Sequence, residues 1–439
     1  MSEPTEPDRA YLQSIDERTR RLLAQAVPDP SPFDGAPGEL ADAVERNVDG
    51  MSDRLRHVVQ HLHAHPETAF REHRSAAFLQ ETLAAHGVEA VLGEYGVETS
   101  VRAEAGSADR GPTIAILAEY DALPEIGHAC GHNVIAAAAL GAFLALSSVA
   151  DRLPGRVLFL GTPAEEGHSG KEVMARNGAF DDVDAAIMVH PYGYDLADQV
   201  WLGRRLLTVA FTGVEAHASA QPFMGRNALD AANLAYQGIG LLRQQLPPSD
   251  RVHANITEGG TSPNIIPNRA VLKLYARSQQ PATLRDLSAR LEDVARGAAL
   301  MTGTGVELHW DEHPPSLPIR TNTALTGRWT VAQQRRGRAP LPLGVVSETL
   351  AASTDFGNVS YRIPGIHPLI RIAEPSTALH TRGFAAAARS EDAERGALDG
   401  AVGLALTALD YLFDEPLRTA VHEEFQNQGG AIDVPSYFA

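Results

Sequence analysis

Three short stretches of the 439-residue chain gather side chains that bind metals and move protons. His128-Ala129-Cys130-Gly131-His132 offers two imidazoles and a thiol at alternate positions, just after the acidic turn Glu119-Tyr120-Asp121. Thr162-Pro163-Ala164-Glu165-Glu166 sets two carboxylates side by side, and His190-Pro191 supplies another imidazole. A Cys-x-His pair alone carries little weight, because a buried cysteine is usually a small hydrophobe. Adjacent carboxylates at a strand end are costly unless solvated or bound to cations. Taken together, these sets hold the mixed nitrogen, oxygen and sulfur donors that borderline divalent metals prefer. Metal-assisted hydrolysis asks one carboxylate to ligate the cation and another to take a proton from water and pass it to the leaving group. Glu165 and Glu166 can divide that work, since neighbours on an irregular turn point to different sides.

Each of these sets directly follows a buried apolar run. Thr113–Ala118 reads as a strand, followed by the acidic turn and a long alanine-rich helix from Val134. Arg156–Gly161 reads as a second strand and Asp184–Val189 as a third. Strands separated by helical stretches imply an α/β domain: a mostly parallel sheet with helices on both faces, its chemistry at the carboxyl ends of the strands. Upstream, apolar residues recur at helical spacing from Asp53 to His86, with Gly87 just past the end. His61, His63 and His65 imitate a metal cluster there, but alternate residues do not share a helix face and Pro66 breaks the element, so they are assigned a structural role. From about Leu206 the texture changes to β-α-β-α-β: strands at 207–212, 270–277 and 306–310, helices at 228–246 and 284–301. This predicts an inserted α+β module over residues 204–316, between a first part of the catalytic domain (1–203) and a second (317–439). The second part ends in a helix over Ala401–Phe413.

Acidic residues outnumber basic ones, 55 against 37, giving a net charge of −18. That excludes nucleic acid and an anionic membrane as main partners, since both demand a basic face. An anionic small substrate remains compatible, because a pocket can oppose the global sign. One cysteine cannot form an intramolecular disulfide, which excludes a stapled secreted scaffold. The charged stretch Met1–Arg21 is no secretory signal, and Val134–Ala150 is short for a bilayer span and reads as a buried helix. A cytoplasmic protein is expected.

The run from Glu119 to Asn133 resembles peptidase family M-twenty in its amidohydrolase branch, the hippurate hydrolase and auxin-conjugate hydrolase type. Gly161–Gly167 and Ser353–Asn358 are most similar to the group that holds aminobenzoyl-glutamate hydrolase and β-alanyl-lysine dipeptidase. The likeness runs from His65-Pro66-Glu67 to Leu379-His380-Thr381. It implies two divalent ions, zinc foremost, with manganese, cobalt or nickel also suited to these ligands. Cys130 would bridge them, His132 and His190 completing one ligand set and Glu166 and His380 the other. Glu165 would be general base and acid, and Asp121 would orient a ligand imidazole. The inserted module would be a lid and homodimerisation domain whose His217 stabilises the oxyanion, while Asn264 and Arg277 bind the substrate carboxylate. Ser353-Thr354-Asp355 would cap a helix, line the pocket, or both. Lys171 follows His168-Ser169 where the subgroup carries glycines, which leaves it to contact substrate or to balance the acidic turn. The function implied is metal-dependent cleavage of an amide in an N-acyl amino acid, an aminobenzoyl-glutamate-like conjugate or a dipeptide. Two rivals stand beside it: a dipeptidase for β-alanyl- or ornithyl/lysyl-type dipeptides, and a catalytically silent metal-binding assembly protein.

Overall fold

The computed structural model describes residues 5–439. Thr113–Ala118 and Arg156–Gly161 are strands in which every residue is buried, so both faces of the sheet must be covered. They pair in parallel, and Thr113–Ala118 is flanked on its other side by Ala185–Ile187 and then Gly365–Ile366, also in parallel. At the opposite edge Val101–Gly106 and Ala90–Leu92 continue the sheet antiparallel, completing six strands. Neither of these two strands is expected from the sequence, because each is short and partly solvated and shows little apolar pattern. The third strand is also shorter than the expected Asp184–Val189. The chain leaves the main sheet after Ile187, and His190–Tyr192 pairs instead with Leu369–Arg371 in a separate two-stranded sheet.

The helix His132–Ser147 is buried from its first residue through Leu146 and packs against Glu391–Phe413 in the main core. That second helix begins well before the expected Ala401. Ser390 caps it by accepting the Ala393 N–H, and Glu391, Asp392 and Glu394 complement the helix dipole. It is the one helix among the described residues long and apolar enough to cross a bilayer, and 89% of its apolar window is buried inside the protein. The stretch from Asp53 to His86 forms two helices, Ser52–Ala64 and His73–Ala84, interrupted around Pro66. The alternating histidines serve structure there. His61 stacks on Phe78 with centroids 3.9 Å apart, His63 bonds to the Ala385 carbonyl at 2.7 Å, and His65 bonds to the His61 carbonyl at 2.8 Å.

Residues Gly203–Thr212, Arg251–Glu258, Arg269–Ser278 and Gly305–Trp310 form a second, antiparallel four-stranded sheet. The helices Ala228–Leu242 and Pro281–Thr302 close an apolar core of its own against it. Arg251–Glu258 is an additional strand outside the β-α-β-α-β reading. Only Val252 and Ala254 are buried along it, so its alternation fades halfway. Where the chain enters and leaves this sheet, Arg204 and Ser316 exchange backbone hydrogen bonds of 2.7 and 3.0 Å.

Candidate metal centre

Gly131 makes the first ligand turn possible. It sits at φ +84°, and a Cβ there would come within 2.9 Å of Pro191 Cγ, so a side chain would be both strained and obstructed. The turn places Cys130 just before the helix and His132 at its first residue. His132 Nδ1–H donates to the Asp121 carbonyl at 2.9 Å and to Asp121 Oδ1 at 3.0 Å, which leaves the Nε2 lone pair facing the site. Oδ2 of the same buried carboxylate accepts the Glu166 N–H at 2.9 Å, so Asp121 ties the histidine turn to the glutamate turn. His190 Nδ1–H donates to the Pro191 carbonyl at 2.8 Å, and its Nε2 lies 3.5 Å from Cys130 Sγ. His380 Nε2 is 3.3 Å from Glu166 Oε1, and the backbone N–H of His380 is anchored on the Ala129 carbonyl at 2.9 Å.

Two groups of donor atoms result, each within 4.8 Å: Cys130, His132 and His190, and Cys130, Glu166 and His380. Cys130 belongs to both. A third group, His132 with Glu165 and Glu166, brings the second carboxylate alongside. His132 Nε2, Glu119 Oε2 and Glu166 Oε1 are buried without a hydrogen-bond partner, although Glu119 Oε2 lies 3.3 Å and Glu166 Oε1 4.0 Å from that imidazole nitrogen. Buried lone pairs facing one another in this way are costly unless a cation receives them, and soft, borderline and hard donors together suit a divalent transition ion. The residues fit a divalent-metal site. Burial and the Glu166 carboxylate push the Cys130 thiol above its ordinary range, so a thiolate here requires a cation beside it.

Lys171 is fully buried and bridges Glu119 and Asp355, the latter at 2.7 Å. It balances the acidic turn and does not line the cleft. Asp355 makes no side-chain cap bond at its helix; its carboxylate serves Lys171, accepting also that residue's backbone N–H at 2.9 Å. Ser353 and Thr354 do line the cleft. Burial, followed by Glu119, Glu166 and Asp355, raises Glu165 well above the ordinary carboxylate range.

The cleft over this cluster has a volume of about 340 Å³ and is lined by Cys130, Glu165, Glu166, His190 and His380 together with Arg277. His217 and Asn264 are outside this lining. They are exposed on two short paired strands of the inserted module, with Ala218 N–H donating to the Asn264 carbonyl at 3.0 Å. His217 Nδ1 accepts N–H groups from Ser219 and Ala220 at 3.3 and 3.2 Å, so its Nε2–H is the free donor. Trp201, Arg204 and Tyr275 also line the cleft and carry no sequence signal that singles them out. Glu72 is a further residue that sequence reasoning missed: it accepts the Ala164 N–H at 2.9 Å and so holds the turn immediately before Glu165, where Ala164 adopts φ +62°.

A profile of peptidase family M20/M25/M40 matches residues 115–388. The chain is 38% identical to Xaa-Arg dipeptidase of Mus musculus over 88% of its own length and 91% of that protein. It is 31% identical to one of the two subunits of p-aminobenzoyl-glutamate hydrolase of Escherichia coli, covering 88% of this chain and 95% of that one. Among solved structures it resembles the Bacillus subtilis YXEP protein, described as a dinuclear metal binding peptidase from the M20 family. The TM-score is 0.65 at 23% identity, covering 82% of this chain and 99% of that one.

Proposed function

The chain belongs to peptidase family M20/M25/M40 and is a metal-dependent hydrolase of amide bonds; from that premise we propose that its substrate is an amide whose leaving amine carries a free carboxylate. The observation that carries this reading is Arg277, a cation with no acidic partner among the described residues, in the same cleft as Glu165 and the clustered metal donors. Arginine is the natural reader of a planar carboxylate.

Two divalent ions, zinc foremost, would be held by Cys130 as the shared donor, with His132 and His190 on one side and Glu166 and His380 on the other. The local charge supports more than one ion: Glu119, Asp121, Glu165, Glu166 and Asp355 gather around a single ammonium, Lys171. Ions there would polarise the amide carbonyl and lower the pKa of water. Glu165 then takes the proton of the attacking water and delivers it to the leaving nitrogen. Its raised proton affinity suits that double duty near neutral pH. Asp121 keeps His132 and Glu166 in register.

Residues 204–316 act as a lid and as the contact surface of a homodimer. A second copy would present His217 Nε2–H to the developing oxyanion and Asn264 to the carboxylate, since neither reaches the cleft of its own chain. Two Escherichia coli relatives, named as different subunits of one hydrolase, support an oligomer. The single cysteine, held as a metal ligand, suits a reducing cytoplasm.

The similarity to Xaa-Arg dipeptidase favours a second reading, a dipeptidase. A free substrate amine would call for an acidic receiver near the loop from His168. Within one chain the only carboxylates lining the cleft are Glu165 and Glu166, and Glu172 on that loop's helix is taken up by Arg176 and Arg362. This weighs toward the acyl conjugate.

Glu165→Gln tests the mechanism. The variant is expected to retain its metal by elemental analysis and to lose turnover by about two to four powers of ten on a panel of N-acyl amino acids and dipeptides. Near-full activity in that variant refutes the assignment, as does wild-type activity that survives complete chelation.

A further inference from the structure

Arg204 and Arg277 face each other as direct Cα partners on neighbouring antiparallel strands, and both line the cleft. Like charges in directly opposed positions destabilise a sheet. Neither guanidinium has a carboxylate partner among the described residues. Arg204 donates to Ser169 Oγ at 3.4 Å and Arg277 to Ser353 Oγ at 3.0 Å, whereas the next residue, Arg205, pairs with Asp311 at 2.7 Å. The Tyr275 ring lies beside both, 5.9 Å from Arg204 Cζ and 5.4 Å from Arg277 Cζ. Burial and then Arg204 itself lower the proton affinity of Arg277, which is how two unneutralised cations in one wall behave. An anion between them removes the repulsion and uses both forks.

The position of Arg204 is not left to chance. Ser169 stands at φ +56°, and its hydroxyl also meets the Pro314 carbonyl at 2.8 Å and Ser316 Oγ at 3.3 Å. The backbone of Arg204 is locked to that of Ser316 by the paired hydrogen bonds at the crossing between the two sheets. One hydroxyl thereby connects the turn carrying Glu165 and Glu166 to the guanidinium and to both crossing strands.

We propose that Arg204 joins Arg277 in a two-pronged clamp for the substrate carboxylate, making Arg204 a specificity-determining residue. This rests on the amide-hydrolase reading above. Two planar forks around one carboxylate select an acid over its neutral isostere and fix the distance from the carboxylate to the scissile bond.

The test compares N-acyl amino acids and dipeptides with their C-terminal carboxamides, using the metal-loaded wild type, Arg204→Gln, Arg204→Lys, Arg277→Gln and the double variant. Arg204→Gln is expected to raise KM for the acid about 10- to 100-fold, to leave kcat/KM for the carboxamide within about threefold, and thus to collapse the acid-to-amide ratio. Arg204→Lys should restore part of that ratio. The double variant should lose less than the product of the two single losses, because the prongs share one ligand. Equal loss on acid and carboxamide indicates a merely structural role and overturns the clamp, as does an unchanged ratio. Calorimetric binding of the same acids and carboxamides to Glu165→Gln, with and without Arg204→Gln, reads the clamp without turnover. If the wild type hydrolyses none of the panel, the hydrolase reading fails separately, and the calorimetric ratio still decides the clamp.

Discussion

Replacing Lys171 by methionine keeps the length of the side chain but removes the ammonium that faces both Glu119 and Asp355. Lys171 and both carboxylates have side-chain exposures of 1% or less. Breaking a buried ion pair from one side typically costs about 3–5 kcal/mol, because the remaining charge is left uncompensated. Here one cation serves two anions, and Glu165 also lies within its field, so the loss should fall near about 5 kcal/mol. That is about three and a half powers of ten in the folding equilibrium, and a large share of the roughly 5–15 kcal/mol net stability of a typical protein. The pH dependence follows from Glu119. Burial already raises its proton affinity, while Lys171 and His132 pull it down; without Lys171 the carboxyl takes up a proton more readily. The folded-state pKa in the variant is then raised further above its unfolded value. The destabilisation is therefore full above that folded pKa and shrinks as pH falls toward the ordinary carboxylate range. Urea unfolding of the metal-loaded protein at pH 7.5 and pH 5 measures both effects, with an unchanged m-value as the control for a two-state comparison. Adding Asp355→Asn to the variant should recover part of the loss by removing one of the stranded charges. A loss below about 1 kcal/mol at pH 7.5, or a loss independent of pH, would show that Lys171 does not hold this triad together.

Asp121→Asn should weaken metal binding by about 10- to 100-fold in a chelator competition, because an amide offers one acceptor where the carboxylate serves both His132 Nδ1–H and Glu166 N–H. Unchanged affinity would remove Asp121 from the role assigned to it. Glu72 is pushed up to about 7 from 4.5 by burial and then Asp121. A raised carboxyl pKa stabilises fully below the unfolded value and loses that contribution as pH rises through about 7, on the order of 3 kcal/mol. Glu72→Gln should flatten the fall in Tm between pH 5 and pH 8, and a slope equal to wild type would contradict the assignment.

The legible parts of this protein are those where neighbours in sequence remain neighbours in space. Thr113–Ala118 and Arg156–Gly161 could be read residue for residue because both are uniformly apolar and buried on both faces. The donors Cys130, His132, Glu165 and Glu166 follow those strands, and their order in the chain is nearly their order around the site. His190 was legible as a donor but not in its setting, because its strand leaves the main sheet to pair with a segment nearly 180 residues later. Asp355 read as a cap by local spacing, and the long-range contact with Lys171 overrode that preference. His380 had no local signal. It reaches Glu166 from a left-handed turn hung on the Ala129 carbonyl, so only the family resemblance could point to it. Arg204 lay beyond both approaches: its chemistry depends on facing Arg277 in strand register and on a serine hydroxyl at the crossing between the sheets. Register is set by the pairing of whole strands and not by either residue's neighbours, so an arginine on an alternating strand reads as a solvated charge until its partner strand is in place. The metal donors could therefore be recognised from short motifs, whereas the carboxylate-reading wall becomes visible only in the assembled sheet. Substrate selection here depends on that assembled wall, which is why short motifs could indicate amide hydrolysis without identifying the acid it acts on.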